Sequence, residues 1–131
     1  SAPPPAVPRT IPPILVIDDS LTTRMLEQSI LESAGYTVDL AVSGEEGLAK
    51  AHDRRYGLYL LDVEMPGMDG FEVLRRAQGD PRLREVPVIV VTSRGSADDR
   101  RTALDLGARG YVVKGEFDQT RLLRAIGDLL G

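Results

Sequence analysis

Residues 58–70, LYLLDVEMPGMDG, contain the strongest structural signal in this chain. They begin with the apolar run Leu58–Leu61, which has the length and composition of a short buried strand. Asp62 follows at once, and the Pro and Gly residues beyond it are typical of a turn. Because open α/β sheets bind ligands at the carboxyl ends of their strands, this order predicts that the Asp62 carboxylate lies at that edge.

A second apolar run also ends in acidic residues. Residues 14–17 read ILVI and are followed directly by Asp18 and Asp19. If the two strands are neighbours, three carboxylates meet at one edge of the sheet, where they repel one another unless a cation lies among them. Mg²⁺ is the cation that fits best, because it is a hard ion that prefers carboxylate, carbonyl and water oxygens.

The composition narrows the classes of function. The chain has 131 residues, the size of one ordinary domain, and 42% of them are hydrophobic. Sixteen basic and twenty acidic residues give a net charge of −4, so no basic excess neutralises nucleic-acid phosphates. The lack of Cys and the single His52 argue against disulfides and zinc sites. With no visible signal peptide or apolar stretch of about 20 residues, we expect a cytoplasmic domain that contacts no membrane.

Residues 1–13 contain six of the nine prolines. Proline is poorly tolerated inside helices and central strands, so this segment is predicted to be an extended linker to a preceding domain. A disordered tail is the alternative. Residues 14–131 are predicted to form one separate domain.

From residue 14 onward, strand signals alternate with helix signals. Strands are predicted at 14–17, 37–42, 58–61, 86–92 and 110–113, and helices at 20–34, 43–54, 71–78, 96–106 and from the cap Asp118 onward. Ser43 with Glu46 forms a capping box, a typical helix start, and Ser96 is another possible N-terminal cap. The helical spacing within 20–34 predicts an apolar stripe made of Leu21, Met25, Leu26, Ile30 and Leu31. Five strand–helix units predict a doubly wound (βα)₅ domain of the α/β class, with a parallel sheet covered on both faces.

The predicted strand ends bring together groups suited to phosphoryl chemistry. Besides the three carboxylates, the fourth strand ends at Thr92, and Lys114 follows the fifth strand. Carboxylates hold Mg²⁺, whereas an ammonium and a hydroxyl hold phosphoryl oxygens. One carboxylate is then free to attack phosphorus and form an acyl phosphate, while the metal neutralises the developing charge.

These residues resemble the receiver domains of response regulators in two-component and chemotaxis systems, over residues 14–131. The motifs that carry the resemblance are Asp18-Asp19, residues 62–70, Thr92-Ser93, Gly107-Ala108 and residues 111–114. The resemblance implies a flavodoxin-like three-layer sandwich with strand order 2-1-3-4-5. Residues 19–24 and 114–119 resemble in particular receivers fused to the C-terminus of chemotaxis-type histidine kinases, and the Pro-rich linker fits that placement.

The resemblance also implies which residues bind the phosphoryl group and the metal. Asp62 would be the phosphoacceptor. Asp19, Asp62 and the backbone carbonyl of Glu64 would ligate Mg²⁺ directly, and Asp18 would act through a bound water. Lys114 would contact the phosphoryl oxygens.

A switch and a partner follow from the same resemblance. Thr92 would also contact the phosphoryl group, and Tyr111 would turn inward when Thr92 moves toward it. The donor would be a phosphohistidine on a histidine kinase or a phosphotransfer domain, with a kinase domain in the same full-length chain as one source. Such a module catalyses its own phosphorylation and dephosphorylation and is not a separate enzyme.

Two features are particular to this chain. Receivers usually carry Pro after the conserved Lys, often in a cis peptide, whereas here Gly115 follows Lys114. A non-proline cis bond costs about 2.5–4 kcal/mol, so the sequence leaves the isomer open. In addition, Glu64 and Arg94 each lie two residues beyond a site residue, so we expect them to meet over the site and modulate access to Asp62. Two solvated, uncoupled side chains are the alternative.

Other functions compete with a phosphorylation switch. A Mg²⁺-dependent phosphohydrolase with an aspartate nucleophile usually has a second Asp two residues later and a cap domain. This chain has Glu64 there and no length for a cap. A receiver used only for docking is disfavoured because all the acidic and basic site residues are present. A nucleotide-binding module is disfavoured because this chain contains no Gly-rich phosphate-binding motif.

Overall fold

The computed structural model describes residues 11–114 and 119–130 of the protein. In these residues five strands alternate with five helices: β1 Ile14–Ile17, α1 Leu21–Ser33, β2 Val38–Ala41, α2 Gly44–Asp53, β3 Leu58–Leu61, α3 Gly70–Gln78, β4 Val88–Thr92, α4 Ala97–Asp105, β5 Gly110–Val113 and α5 Gln119–Leu130. The predicted order of elements is confirmed. β4 begins two residues later than predicted, after Pro87, which has no amide hydrogen to donate. The predicted cap Asp118 and most of the Pro-rich segment lie outside the described residues.

The five strands form one parallel sheet in the order β2-β1-β3-β4-β5, which confirms the doubly wound α/β prediction. The order reverses between β1 and β3, where Ile14 pairs with Leu58 and Ile17 pairs with Leu61. The residues that follow these two strands, Asp18 and Asp62, therefore leave the sheet at the same level. A crevice at such a reversal point is where open α/β sheets bind ligands.

Both faces of the sheet are covered, because successive strand residues point to opposite sides. One face carries Leu15, Ile17 and Leu61, and it packs against α2, α3 and α4. The other face carries Val16 and Leu60, and it packs against α1 and α5. All residues of β1, β3 and β4 are buried, as expected of strands that are apolar throughout.

Four helices begin with a capping side chain at the expected position. Ser20, Ser43, Asp69 and Ser96 each accept a hydrogen bond from the backbone amide three residues later. Such a cap satisfies one of the free amides of the first turn and is worth about 1 kcal/mol. The predicted caps at Ser43 and Ser96 are confirmed.

The inward face of α1 differs from the expectation. Leu21, Met25 and Leu26, part of the predicted apolar stripe, are 63%, 59% and 52% exposed. The buried residues of the helix are Glu27, Ile30 and Leu31, whose spacing of three and four places them on one side. The side of α1 that packs against the sheet therefore includes an acid. The predicted apolar stripe is wrong for the first half of the helix and right for Ile30 and Leu31.

No helix in residues 11–114 or 119–130 is both long enough and apolar enough to cross a membrane.

Candidate functional site

The predicted site residues of β1, β3 and β5 meet at the carboxyl edge of the sheet. The Lys114 ammonium donates to Asp18 Oδ2 at 2.9 Å and to Asp62 Oδ2 at 3.1 Å. Asp18 is 1% exposed and Asp62 is 4% exposed, so this three-residue bridge lies largely out of water. The structure thereby brings together residues that are 52 and 96 positions apart in the sequence.

The donor set fits a hard divalent cation. Asp18, Asp19 and Asp62 each offer one carboxylate oxygen, and these oxygens lie within 4.8 Å of one another. Two of the acids are buried and Asp19 is exposed, so the cluster is open to solvent on one side. Three oxygen donors with one open side are the arrangement in which Mg²⁺ keeps part of its water shell. These three residues would hold the ion.

The loop after β3 orients the Asp62 carboxylate. The Glu64 amide donates to Asp62 Oδ1 at 2.9 Å, and the Gly70 amide donates to the Val63 carbonyl at 3.1 Å. A Cβ atom on Gly70 would lie 2.2 Å from the Asp62 carbonyl oxygen, so only Gly allows α3 to begin this close to the strand end. Asp62 is therefore held by its own turn on one oxygen and by Lys114 on the other.

In both Asp18 and Lys114, burial and hydrogen bonding shift the pKa in opposite directions. Burial raises the pKa of Asp18 above its ordinary value, although the Ser20 amide and Lys114 both stabilise its ionised form. Burial alone would lower the pKa of Lys114, but its hydrogen bonds with Asp18 and Asp62 outweigh that effect and raise it. Lys114 is therefore a cation at neutral pH and offsets the charge of the two buried acids.

Thr92 and Tyr111, the predicted switch residues, both contact Arg94 in the loop after β4. Thr92 is fully buried at the end of β4, and its hydroxyl accepts from the Arg94 amide at 3.3 Å. Tyr111 is 8% exposed, and its hydroxyl donates to the Arg94 carbonyl. The ring of Tyr111 thus occupies an inward position, under the guanidinium of Arg100 at 5.8 Å.

Glu64 and Arg94 lie near each other, but their stronger partners are elsewhere. Arg94 Nε is 3.8 Å from Glu64 Oε1, whereas the guanidinium makes two hydrogen bonds of 3.0 Å to the Asp99 carboxylate. Glu64 in turn accepts a hydrogen bond from the Ser93 hydroxyl. The Asp99 contact was not predicted, because nothing in the sequence indicates that the first turn of α4 folds back over the loop.

Gly115 lies outside the described residues, and so does the isomer of the Lys114–Gly115 peptide, which the sequence leaves open.

One residue of the neighbourhood was missed by the sequence reasoning altogether. Glu27 of α1 is 2% exposed, and burial raises its pKa to about 8. The signal was available, because Glu27 precedes Ile30 and Leu31 by three and four positions and so shares their inward face.

Sequence comparison connects this geometry to known proteins. Residues 14–127 match the family model for the response regulator receiver domain. The chain is 40% identical over 113 residues to the gliding motility regulatory protein of Myxococcus xanthus, an alignment that covers 86% of this chain and 14% of that protein. It spans about half the length of other curated relatives that it matches.

Solved structures agree with the sequence match. The chemotaxis protein CheY4 of Vibrio cholerae superposes with a TM-score of 0.85 at 31% identity, covering 92% of this chain and all of that one. The receiver domain of the sensor histidine kinase PA1611 from Pseudomonas aeruginosa, solved with a magnesium ion coordinated in its active-site cleft, superposes with a TM-score of 0.84 at 28% identity, covering 93% of this chain and 99% of that one. The match over nearly the whole domain, together with the acidic edge of the sheet, shows that this chain belongs to the response regulator receiver domain family.

Proposed function

We propose that the protein is a phosphorylation switch in which Asp62 accepts a phosphoryl group with the help of Mg²⁺. The observation that carries the proposal is the meeting of three carboxylates and one ammonium at the end of β3, with Asp62 at the centre. Asp62 and Asp18 share a contact to Lys114, a place in the acidic cluster and a carboxylate oriented by a backbone amide two residues later. Asp62 differs because it follows β3, the central strand of the sheet, between the ends of β1 and β4. These are the features that a nucleophile and its charge partners need.

The transfer would follow from the positions of the side chains. An oxygen of Asp62 attacks the phosphorus of a phosphohistidine, an O–P bond forms, and the P–N bond to the imidazole breaks. The departing imidazole keeps the electron pair and takes up a proton. Lys114 leaves its carboxylate partners to contact the transferred oxygens. Its ammonium is suited to this role because, among the described residues, it forms the ion pair with Asp62.

The metal would be held by Asp18, Asp19 and Asp62, with the backbone carbonyl of Glu64 as a further ligand. When bound, Mg²⁺ neutralises charge that develops on the phosphoryl oxygens. The fit of the donor set and the magnesium reported for the PA1611 receiver support this assignment.

The signal would leave the site through β4 and β5. Once phosphoryl oxygens are present, the Thr92 hydroxyl donates to one of them and moves toward the site. In the structure, the Arg94 amide donates to the Thr92 hydroxyl and the Arg94 carbonyl accepts from the Tyr111 hydroxyl. A movement of Thr92 would therefore shift the loop after β4 and the Tyr111 ring together. These two hydrogen bonds to Arg94 support the proposal that Thr92 and Tyr111 move as a coupled pair.

The donor would be a histidine kinase or a phosphotransfer domain, in the cytoplasm, with no role for nucleic acid or a membrane. We propose further that residues 1–13 link the domain at 14–131 to a preceding kinase domain in one hybrid chain. Support comes from relatives: the gliding motility regulator is several times longer than the match, and the PA1611 receiver is part of a sensor histidine kinase. On this proposal the module catalyses only its own phosphorylation and dephosphorylation and is not a separate enzyme.

The test is incubation with acetyl phosphate and Mg²⁺, followed by intact-protein mass. We expect one transient phosphoryl adduct on the wild type, none on Asp62→Asn, and a normal adduct on Asp53→Asn, which changes an exposed acid on α2 instead. Asp62→Asn should stay folded, because it removes one of the mutually repelling carboxylates. An adduct on Asp62→Asn at the wild-type rate would refute the assignment, and steady turnover of phosphate esters would favour the hydrolase.

A further inference from the structure

Glu27 stands out among the buried polar side chains. In the described part of the chain four polar or charged residues are buried: Asp18, Glu27, Asp62 and Thr92. Three of them are residues of the proposed phosphorylation site. Glu27 is the fourth, and neither the resemblance nor the proposed function gives it a role.

The Glu27 carboxyl has an unused hydrogen-bonding atom. Its Oε1 is buried and has no hydrogen-bond partner in the described residues. Leaving such an atom unpartnered costs folding free energy, which an apolar side chain at the same position would avoid. Burial raises the pKa of Glu27 to about 8, and the negative charges of Asp18 and Asp62 add to the shift while Lys114 opposes it. The carboxyl is therefore mostly uncharged at neutral pH and lies within the electric field of the site.

A small cavity connects Glu27 to Lys114. It has a volume of about 120 Å³ and is lined by Thr23, Leu26, Glu27, Val91 and Lys114. One water needs about 10–15 Å³ of such space, so the cavity has room for water between polar groups on its wall. An ammonium has three N–H donors, and Lys114 uses two of them for Asp18 and Asp62. The third donor and the unpartnered oxygen of Glu27 thus belong to two side chains that line one cavity.

We propose that Glu27 is a positioning residue for Lys114. Its carboxyl oxygen accepts a hydrogen bond from the third N–H of the Lys114 ammonium across the cavity, directly or through one water. The proposal rests on the proposed function, in which Lys114 must give up Asp18 and Asp62 to contact the phosphoryl group. During that exchange Glu27 keeps one hydrogen bond to the ammonium. Lys114 then stays within reach of Asp62 instead of turning into solvent, toward which its side chain is 24% exposed.

The test compares three variants by their initial rate of phosphorylation with acetyl phosphate at saturating Mg²⁺. Glu27→Met keeps the length of the side chain and removes the hydrogen bond, and we expect it to be about ten-fold slower, the effect of one hydrogen bond to a charged group. Glu27→Gln keeps an acceptor and should stay within about two-fold of the wild type. Glu32→Leu removes an exposed acid from the same helix and should not change the rate.

A double-mutant cycle separates positioning from packing. If Glu27 acts through Lys114, Glu27→Met should have no further effect in a Lys114→Ala background. The Mg²⁺ affinity of Glu27→Met, measured by calorimetry, should equal that of the wild type, because the metal ligands are untouched. Glu27→Leu serves as a second apolar variant if Glu27→Met does not fold.

Three results would overturn the inference: a wild-type rate for Glu27→Met, a Gln variant as slow as the Met variant, or an undiminished Met effect without Lys114. None of them would touch the proposed function, which is tested separately by the phosphoryl adduct on Asp62 of the wild type and by turnover of phosphate esters.

Discussion

At the scale of single residues, one ammonium balances two carboxylates. Lys114 bridges Asp18 and Asp62, and both carboxylates are almost fully buried. Removing Lys114 leaves two like charges facing each other without a cation. This lowers the free energy of unfolding more than replacing the whole buried ion pair by apolar residues would. Lys114 therefore supports the fold when no metal is bound, and on the proposed function the same ammonium contacts the incoming phosphoryl group.

For Lys114→Ala we expect a metal-free protein that is less stable by about 1–3 kcal/mol, because two buried charges lose their partner. Mg²⁺ binding should be retained or strengthened, since the metal no longer competes with the ammonium. Phosphorylation of Asp62 should be strongly impaired. Urea unfolding, calorimetry and intact-protein mass measure the three quantities, and Arg101→Ala, which removes an exposed cation from α4, is the control. Loss of Mg²⁺ affinity with normal phosphorylation would contradict this role.

Glu64 and Arg94 allow a second prediction at this scale. We propose that they modulate access to Asp62, although the 3.8 Å pair is loose and Arg94 binds Asp99 more closely. Exposed pairs contribute only about 0–1 kcal/mol to stability, so the expected effect is on rate. Glu64→Ala and Arg94→Ala should each change the rate at which the acyl phosphate hydrolyses, and their combined effect should differ from the sum. Strictly additive effects would show two independent side chains, and Asp99→Ala would then reveal whether Arg94 acts through α4 instead.

At the scale of elements, α1 shows what the sequence could and could not predict. The strands were predictable because β-branched, fully apolar runs suit a sheet buried on both faces, and the caps were predictable from Ser residues before helical stretches. The inward face of α1 was not predictable from apolar residues alone. Three of them point to solvent, and the buried stripe contains Glu27.

The burial of Glu27 predicts a pH dependence of stability in the metal-free protein. Its pKa is about 8 in the folded state against an ordinary value of 4.5, so the folded protein holds a proton that the unfolded chain has released between these values. Stability contributed by this proton is complete below pH 4.5 and is lost as the pH rises toward 8. The slope is at most about 1.4 kcal/mol per pH unit.

Glu27→Gln cannot titrate, so it should unfold with a weaker dependence on pH over this window and exceed the wild type in stability near pH 8. Asp18, Asp62 and Lys114 face the same region and remain in both proteins, so the difference between the two isolates Glu27. Chemical unfolding in the presence of a chelator, at intervals from pH 5 to pH 8, measures it. Parallel curves for the two proteins would show that Glu27 titrates normally.

At the scale of the whole molecule, the site exists only because of the strand order. Lys114 and Asp18 are 96 residues apart and meet because β5 and β1 end at the same edge of one parallel sheet. The sequence predicted which residues converge, since each follows an apolar run. It did not predict the distances, the Arg94–Asp99 contact or the cavity beside Lys114, because these depend on how loops and helices pack over the sheet edge.

That dependence yields a prediction for the whole molecule. The three acids that would hold Mg²⁺ follow β1 and β3, which are adjacent only in the folded state, so the unfolded chain has no comparable site. A ligand that binds only the folded state stabilises it, by about 2.7 kcal/mol at a concentration one hundred times its dissociation constant. The unfolding temperature should therefore rise steadily with Mg²⁺.

The rise should be much smaller for Asp19→Asn, which removes an exposed ligand without disturbing the buried bridge of Asp18, Lys114 and Asp62. KCl at matched ionic strength is the control, because screening alone also weakens repulsion among the acids. An equal rise with KCl and Mg²⁺ would mean that the acidic edge responds to ionic strength and holds no specific ion. A rise with Mg²⁺ alone that Asp19→Asn abolishes would link metal binding, strand order and stability in one measurement.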